Sequence, residues 1–113
     1  MLFKKIYRKL YKSIVGKISP VKYAKKIGVN MGEGIHIYGP VEWSTEPWII
    51  TLGNNVHITN GVKFITHDGG TLLFRHIIED LEITKPITVG NNVYFGNNAV
   101  ILPGVNIGND VVV

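Results

Sequence analysis

Four histidines are the side chains of this chain best suited to proton transfer near neutral pH: His36, His57, His67 and His76. An imidazole has an ordinary pKa of about 6.5, so it can take up and release a proton in that range. Cysteine is absent, which excludes disulfides, thiolate metal sites and a cysteine nucleophile. The sequence therefore offers histidine as the candidate base, and the elements around each histidine decide which one is positioned to act.

A period of six residues follows Gly28 and indicates what those elements are. Consecutive blocks open at Val89, Phe95, Ile101 and Ile107, with a small apolar residue four positions after each opening residue. Upstream blocks with the same spacing open at Met31, Ile37, Trp43, Leu52, Ile58 and Phe64. This period is typical of a solenoid of short parallel strands, in which three blocks close one triangular coil and the opening residues point inward. The alternative, a β-sandwich, would show strands alternating with a period of two.

The Gly-Asn, Asn-Asn and Asn-Asp steps and Pro103-Gly104 are predicted to form the corners of these coils. Glycine and asparagine tolerate the positive φ that such corners need. His36 and His57 occupy the sixth position of their blocks, which we interpret as an exposed corner. Both are therefore predicted to be surface residues without a catalytic role.

The register breaks between Phe64 and Val89, which lie 25 positions apart where a multiple of six is expected. Residues 68–86 are therefore predicted to be a loop extruded from one coil, and loops this long in compact domains are usually functional or disordered. Its apolar run, residues 72–74, suggests packing on another surface such as a neighbouring subunit. His67 lies immediately before the loop, whereas His76 lies within it and is either solvated or bound to a substrate.

The basic character of the chain is concentrated at its N-terminus. Residues 1–32 contain nine of the twelve Lys and Arg and no acid, whereas three cations and eight acids follow from Glu33 onward. Residues 2–18 have the apolar spacing of an amphipathic helix, Pro20 ends it, and a second short helix or turn is expected over Val21–Ile27. The first helix is predicted to cap the open end of the solenoid; the alternative is peripheral contact with an anionic membrane.

Cations interrupt the apolar residues too often for a signal peptide or a membrane span. We therefore expect a cytoplasmic protein, with the inner face of the membrane as the alternative location. Nucleic acid is not expected as a partner, because no recognition motif accompanies the charge.

The residues on either side of the loop resemble the hexapeptide-repeat acetyltransferases. The similarity lies in the segment Val62–Gly70, ending in Thr-His-Asp-Gly-Gly, and in the segment Pro86–Gly96, Pro-Ile-Thr-Val-Gly-Asn-Asn-Val-Tyr-Phe-Gly. The similarity covers about residues 29–113. Within the family, the sequence looks most similar to the maltose, galactoside, capsule and exopolysaccharide O-acetyltransferases. This similarity implies an all-β solenoid, a left-handed parallel β-helix of hexapeptide repeats, preceded by the helical segment 1–28 and lacking the family's C-terminal coils beyond Val113.

The resemblance also implies an activity and a site. The enzyme would transfer acetyl from acetyl-CoA to a hydroxyl of a sugar or glycan precursor, by direct attack without a covalent enzyme intermediate and without a metal. His67 matches the family's catalytic base, and the acyl-CoA contacts fall on Tyr94, Gly96 and Asn97, where the family often has Trp at the first position and Ser at the last. The acceptor side is expected at Asp68, Arg75 and His76, in clefts between the subunits of a homotrimer.

Two alternatives belong to other functional classes. A zinc hydratase resembling the gamma-type carbonic anhydrases needs three histidine ligands, but His57 and His67 are ten positions apart and no His-x4-His pair exists. A non-catalytic β-helix fragment could serve as an oligomerisation or binding module. Binding of acetyl-CoA separates this last hypothesis from the transferase.

Overall fold

The computed structural model describes residues 2–6, 9–10 and 19–113. Residues 2–6 and 9–10 are helical, and helix α1 spans Pro20–Lys26, close to the predicted second helix. Ser19 begins α1 because its hydroxyl accepts a hydrogen bond from the backbone N–H of Lys22, and Pro20 takes the first helical position, where no N–H is needed. No helix in the described ranges has both the length and the apolar character needed to cross a membrane.

In the described part of the chain, ten short strands form the three faces of a triangular prism. They are β1 (Asn30–Met31), β2 (Ile35–Ile37), β3 (Ile50–Leu52), β4 (Val56–Ile58), β5 (Lys63–Phe64), β6 (Ile87–Val89), β7 (Val93–Phe95), β8 (Val100–Ile101), β9 (Asn106–Ile107) and β10 (Val111–Val112). The first face has the order β1-β3-β6-β9, the second β2-β4-β7-β10, and the third β5-β8. All strand pairs are parallel, as the predicted solenoid requires. Two 3₁₀-helices, Pro47–Ile49 and Gly69–Phe74, interrupt the coils.

The opening residues of the blocks form the core, as predicted. Leu52, Ile58, Phe64, Val89, Phe95 and Ile101 are all at most 2% exposed. Aromatic rings pack inside the prism, where Trp43 stacks on Phe64 of the third face at 4.9 Å between ring centroids and Phe64 meets Phe95 of the second face edge-on at 5.4 Å. Each buried aliphatic or aromatic side chain contributes roughly 1.5–3 kcal/mol, so stability grows with every stacked coil.

The predicted corners are confirmed by backbone geometry. Asn55, Asn92, Asn98 and Asp110 have φ between 54° and 62°, the left-handed region that asparagine and aspartate tolerate best among residues with side chains. Hydrogen bonds between successive coils connect these corners, since Asn92 Nδ2 donates to Asp110 Oδ1 at 2.7 Å. The corners are therefore held by side chains as well as by local conformation.

The interpretation of His36 and His57 as corner residues is wrong. Both lie at the centre of three-residue strands, β2 and β4, and are paired in register on the second face. The reason is the phase of the repeat: β2 and β4 each begin one residue before the sixth position of a block, so that position lies at mid-strand and points outward. His36 is exposed and His57 is half-buried.

The predicted cap, residues 2–18, falls largely outside the described residues, and its described apolar side chains do not pack on the solenoid. Leu2, Phe3, Ile6 and Leu10 are all exposed, while residues 7–8 and 11–18 lie outside the described residues. Helix α1 packs on the solenoid instead, because the side chain of Ala24 is fully buried in the core. Small size at this position lets the helix approach the first coil closely.

Candidate active site

His67 lies where the extruded loop leaves the second coil. His67 and Thr84 form an antiparallel bridge that closes the neck of the loop, flanked by hydrogen bonds from Asp68 N to Ile83 O at 2.9 Å and from Lys85 N to Thr66 O at 3.0 Å. The imidazole Nδ1 lies 2.8 Å from Thr84 Oγ1, and the residue is half-buried. The loop neck therefore positions Nδ1, and in the tautomer with the proton on Nδ1 the other nitrogen, Nε2, can accept a proton.

A carboxylate, Glu46, lies beside this histidine and is held by two hydroxyls. Thr45 Oγ1 and Thr66 Oγ1 both donate to Glu46 Oε2, at 2.6 and 2.7 Å. These hydrogen bonds, chiefly the one from Thr45, lower the pKa of the Glu46 carboxyl below its usual 4.5, and the nearby His67 lowers it further. Glu46 is therefore ionised at neutral pH and presents a negative charge to the imidazole.

Thr66 connects Glu46 to the second coil. Its side chain is completely buried, and its backbone N–H donates to Ser44 Oγ at 3.0 Å. Ser44 has a φ of 63°, in the left-handed region, so the chain turns sharply into the three-residue insertion between the first two coils. That turn brings Glu46 back against the residue that precedes His67.

The three predicted acceptor-side residues all lie in the loop. Asp68 accepts a hydrogen bond from the backbone N–H of Gly70 at 2.8 Å and begins the 3₁₀-helix Gly69–Phe74. Arg75 makes a long ion pair of 3.8 Å with Glu82, and His76 is exposed. Asp68 and Arg75 thus shape the loop, and a substrate role for all three stays a prediction.

The predicted acyl-CoA residues lie on a different part of the prism from His67. Tyr94 is the centre of β7 on the second face and is 44% exposed, whereas His67 follows β5 on the third face. Gly96 donates its N–H to Val113 O at 2.9 Å, and Asn97 is exposed at the corner that follows. Within one chain, the structure does not bring these residues together with His67.

Tyr94 borders a shallow cavity of about 200 Å³ on the second face. The cavity is lined by His57, Asn92, Val93, Tyr94, Asp110, Val111 and Val112. His57 is in register with Tyr94, stacks on His36 at 4.6 Å between ring centroids, and has its Nδ1 2.7 Å from the hydroxyl of Tyr38. This row of rings along the second face was missed because His57 was placed at a corner.

Sequence reasoning also missed Glu46 and Thr84. The sequence did contain a signal for Thr84. A loop that leaves the coil after His67 must return to it just before Pro86, so the residues before Pro86 should lie beside His67. Glu46 had a weaker signal: the block openers Trp43 and Leu52 are nine positions apart instead of six, which marks a second insertion.

The zinc alternative needs three histidine or carboxylate side chains close enough to hold a metal ion. Such a group does not occur in the described ranges, so these residues provide no ligand set for zinc.

Known proteins share both the repeat and much of the sequence. The family described as "Hexapeptide repeat of succinyl-transferase" matches residues 86–113. "Protein CapG" of Staphylococcus aureus is 45% identical over 105 residues, which is 90% of this chain and 58% of that protein.

Two further relatives carry acetyltransferase names. "Putative acetyltransferase SAR2635" of Staphylococcus aureus strain MRSA252 is 30% identical over 87 residues, covering 58% of this chain and 43% of the relative. "Putative acetyltransferase YJL218W" of Saccharomyces cerevisiae is 36% identical over 64 residues, covering 57% of this chain and 32% of the relative. The chain thus spans less than two thirds of the length of each of these three relatives. With the triangular parallel solenoid, these similarities show that the chain has the hexapeptide-repeat fold, the left-handed β-helix, and that its sequence is similar to proteins named as acetyltransferases.

Proposed function

We propose that this chain transfers an acetyl group from acetyl-CoA to a hydroxyl of a sugar or glycan precursor, with His67 as the general base. The observation that carries the proposal is the placement of His67 at the loop neck, with Nδ1 against Thr84 and an ionised Glu46 nearby. Both the family and the acetyltransferase names of relatives support acyl transfer. The sugar acceptor is the finer part of the proposal and comes from the resemblance at residues 62–96.

The proposed step begins at the free nitrogen of His67. We assign the proton of the neutral imidazole to Nδ1, donating to Thr84 Oγ1, so that Nε2 accepts the proton of the acceptor hydroxyl as its oxygen attacks the thioester carbonyl carbon. The carbon–sulfur bond then breaks, and the proton passes from Nε2 to the departing CoA sulfur. An acetyl ester and free CoA result, with no covalent bond to the protein.

Glu46 supports the same step through its charge. Accepting a proton makes the imidazole of His67 a cation, and a carboxylate nearby stabilises that cation. Thr45 and Thr66 keep the carboxylate ionised and fix its position by hydrogen bonds. Glu46 is thus proposed as a positioning and charge-stabilising residue that does not itself touch the substrate.

The donor site requires a second subunit in this account. Tyr94, Gly96 and Asn97 lie on the second face or its corner, and His67 lies at the end of the third, so a homotrimer would bring these two surfaces together across a cleft. The loop residues Asp68, Arg75 and His76 would then face the acceptor. The loop's exposed apolar side chains, Leu72 and Phe74 among them, support contact with another surface. A cytoplasmic location stays a prediction from the sequence.

The test is a direct search for the product. The chain is incubated with acetyl-CoA and a panel of mono- and disaccharides, and acetylated sugars are detected by mass spectrometry. We expect acetyl esters on at least one class of sugar and no acetyl group on the protein. Binding of acetyl-CoA without acetylation of any acceptor would contradict the proposal and favour the non-catalytic module, and a stable acetyl-protein would contradict direct attack.

A further inference from the structure

The described N-terminal residues have exposed apolar side chains that do not pack on the solenoid. Leu2 is 69% exposed, Phe3 86%, Ile6 46% and Leu10 56%. Scattered apolar residues are common on surfaces, but four of these seven described helical residues are apolar and exposed, and exposed apolar patches mark interaction sites. This patch, defined by these four residues, is the surface that the proposed activity leaves unexplained.

The helical residues 2–6 separate apolar from charged side chains. At about 100° of rotation per residue, Leu2, Ile6 and Phe3 fall within an arc of roughly 100°. Lys4 and Lys5 project from the rest of the circumference. An apolar stripe of this width beside lysines is typical of a helix that lies in an interface between an apolar and an aqueous phase.

Charge decides which partner fits this patch. Residues 1–32 hold nine cations and no acid, and the lysines of the described helices, Lys4 and Lys5 among them, are exposed. A second copy of the same segment would place cations against cations, which disfavours pairing between the helices. A bilayer with anionic headgroups satisfies both features, because it attracts the lysines and receives the apolar side chains.

We propose that the N-terminal patch docks this protein in the interfacial plane of an anionic phospholipid bilayer. Phe3 and its apolar neighbours would enter the boundary between headgroups and acyl chains, while Lys4, Lys5 and Lys9 would contact the phosphates. This docking is independent of the acetyl-transfer proposal, because it uses none of the residues of the candidate site.

Vesicle flotation with the whole chain tests the docking. One set of vesicles is made of equal parts phosphatidylglycerol and phosphatidylcholine, and the other of phosphatidylcholine alone. We expect flotation with the anionic vesicles, weakening as salt is raised because salt screens the attraction, and little flotation with the neutral ones. No flotation with anionic vesicles, or equal flotation with both sets, would overturn the proposal.

Two variants with matched controls locate the contact. Replacing Lys4, Lys5 and Lys9 by Gln is expected to weaken binding about 100-fold, since each basic side chain at an anionic surface contributes roughly fivefold. The control replaces Lys22, Lys25 and Lys26 of α1 by Gln, which removes the same charge from a helix packed on the solenoid. Equal losses in the two variants would show that net charge, and not the N-terminal patch, controls binding.

The apolar contribution has its own pair of variants. Phe3→Ser with Ile6→Ser is expected to reduce flotation at least tenfold, and the control is Leu72→Ser with Phe74→Ser in the extruded loop, whose side chains are also exposed. Thermal unfolding of each variant checks that the solenoid is intact. Loss of flotation in the loop variant alone would overturn the proposal by assigning the membrane contact to the loop.

Discussion

At the residue scale, the proposed function depends on one imidazole whose two nitrogens have different surroundings. The family resemblance, together with the position of His67 before the loop, predicts this residue as the base, and the structure adds the groups around it. Thr84 lies 2.8 Å from Nδ1, and Glu46 lies close enough for the charge of His67 to affect its pKa. Each of these two neighbours has a consequence that can be measured separately.

Removing the Thr84 hydroxyl should slow the reaction without disturbing the fold. Thr84→Val keeps the shape but leaves Nδ1 without its partner, and a hydrogen bond of about 1 kcal/mol corresponds to a rate loss of roughly fivefold. Steady-state kinetics should show the loss in kcat, with acetyl-CoA affinity unchanged. Thr84→Ser should restore the rate, and Thr88→Val, on an exposed position of β6, should leave it unchanged. A full rate in Thr84→Val would show that Thr84 does not orient His67.

The lowered pKa of Glu46 predicts how the free energy of unfolding changes in acid. Its pKa is lower in the folded chain than its usual 4.5, so its contribution is complete above about pH 4.5 and is lost as the pH falls through the folded pKa. Glu46→Gln should therefore destabilise the chain by about 1 kcal/mol at neutral pH, and the difference from wild type should shrink in acid. Urea unfolding across this pH range measures it. Glu42→Gln, at an exposed carboxylate, serves as the control, and an equal effect there would contradict a specific role for Glu46.

At the scale of elements, the corners determine how closely the coils stack. Gly53 follows β3 and lies against the corner of the next coil, where an added Cβ would be 2.5 Å from the carbonyl oxygen of Gly90. Asn91 stands at the same corner and accepts a hydrogen bond from the backbone N–H of Asn54 at 2.8 Å. Successive coils therefore need glycine at this corner for close approach, and asparagine beside it for hydrogen bonds to the neighbouring coil.

Gly53→Ala should destabilise the solenoid because backbone atoms of the neighbouring coil must move. Overpacking of this kind costs about 1–3 kcal/mol, which thermal or urea unfolding would detect. The matched control is Gly69→Ala, since an added Cβ at Gly69 would meet no atom within 4 Å. If the two variants were equally stable, close stacking at this corner would not be a constraint.

The elements also show which features could be predicted from the sequence. The period of six predicts the strands, the inward openers and the corners, because each of these repeats in every coil. The partners of His67 do not repeat: Thr84 arrives through closure of one loop, and Glu46 through one insertion of a different length. Their positions depend on how irregular segments pack, which periodicity does not describe.

At the scale of the whole molecule, the prism separates surfaces that the activity must combine. His67 lies at the end of the third face and Tyr94 on the second, and the exposed N-terminal residues 2–6 belong to neither face. The helical pattern of residues 2–18 indicates an apolar stripe that needs a cover but not which surface supplies it. Over the described residues the solenoid does not supply that cover, since Phe3 is 86% exposed, and for the rest of the segment capping stays a prediction.

The central claim, that His67 is the base for acetyl transfer, is tested most directly by comparing transfer rates of wild type and His67→Ala on the acceptor found in the sugar panel. We predict a loss of about 10²–10⁴-fold, the usual scale for removal of a general base, with acetyl-CoA binding retained. His36→Ala, on the second face, should keep the wild-type rate. A His67→Ala variant that transfers acetyl at nearly the wild-type rate would contradict the assignment.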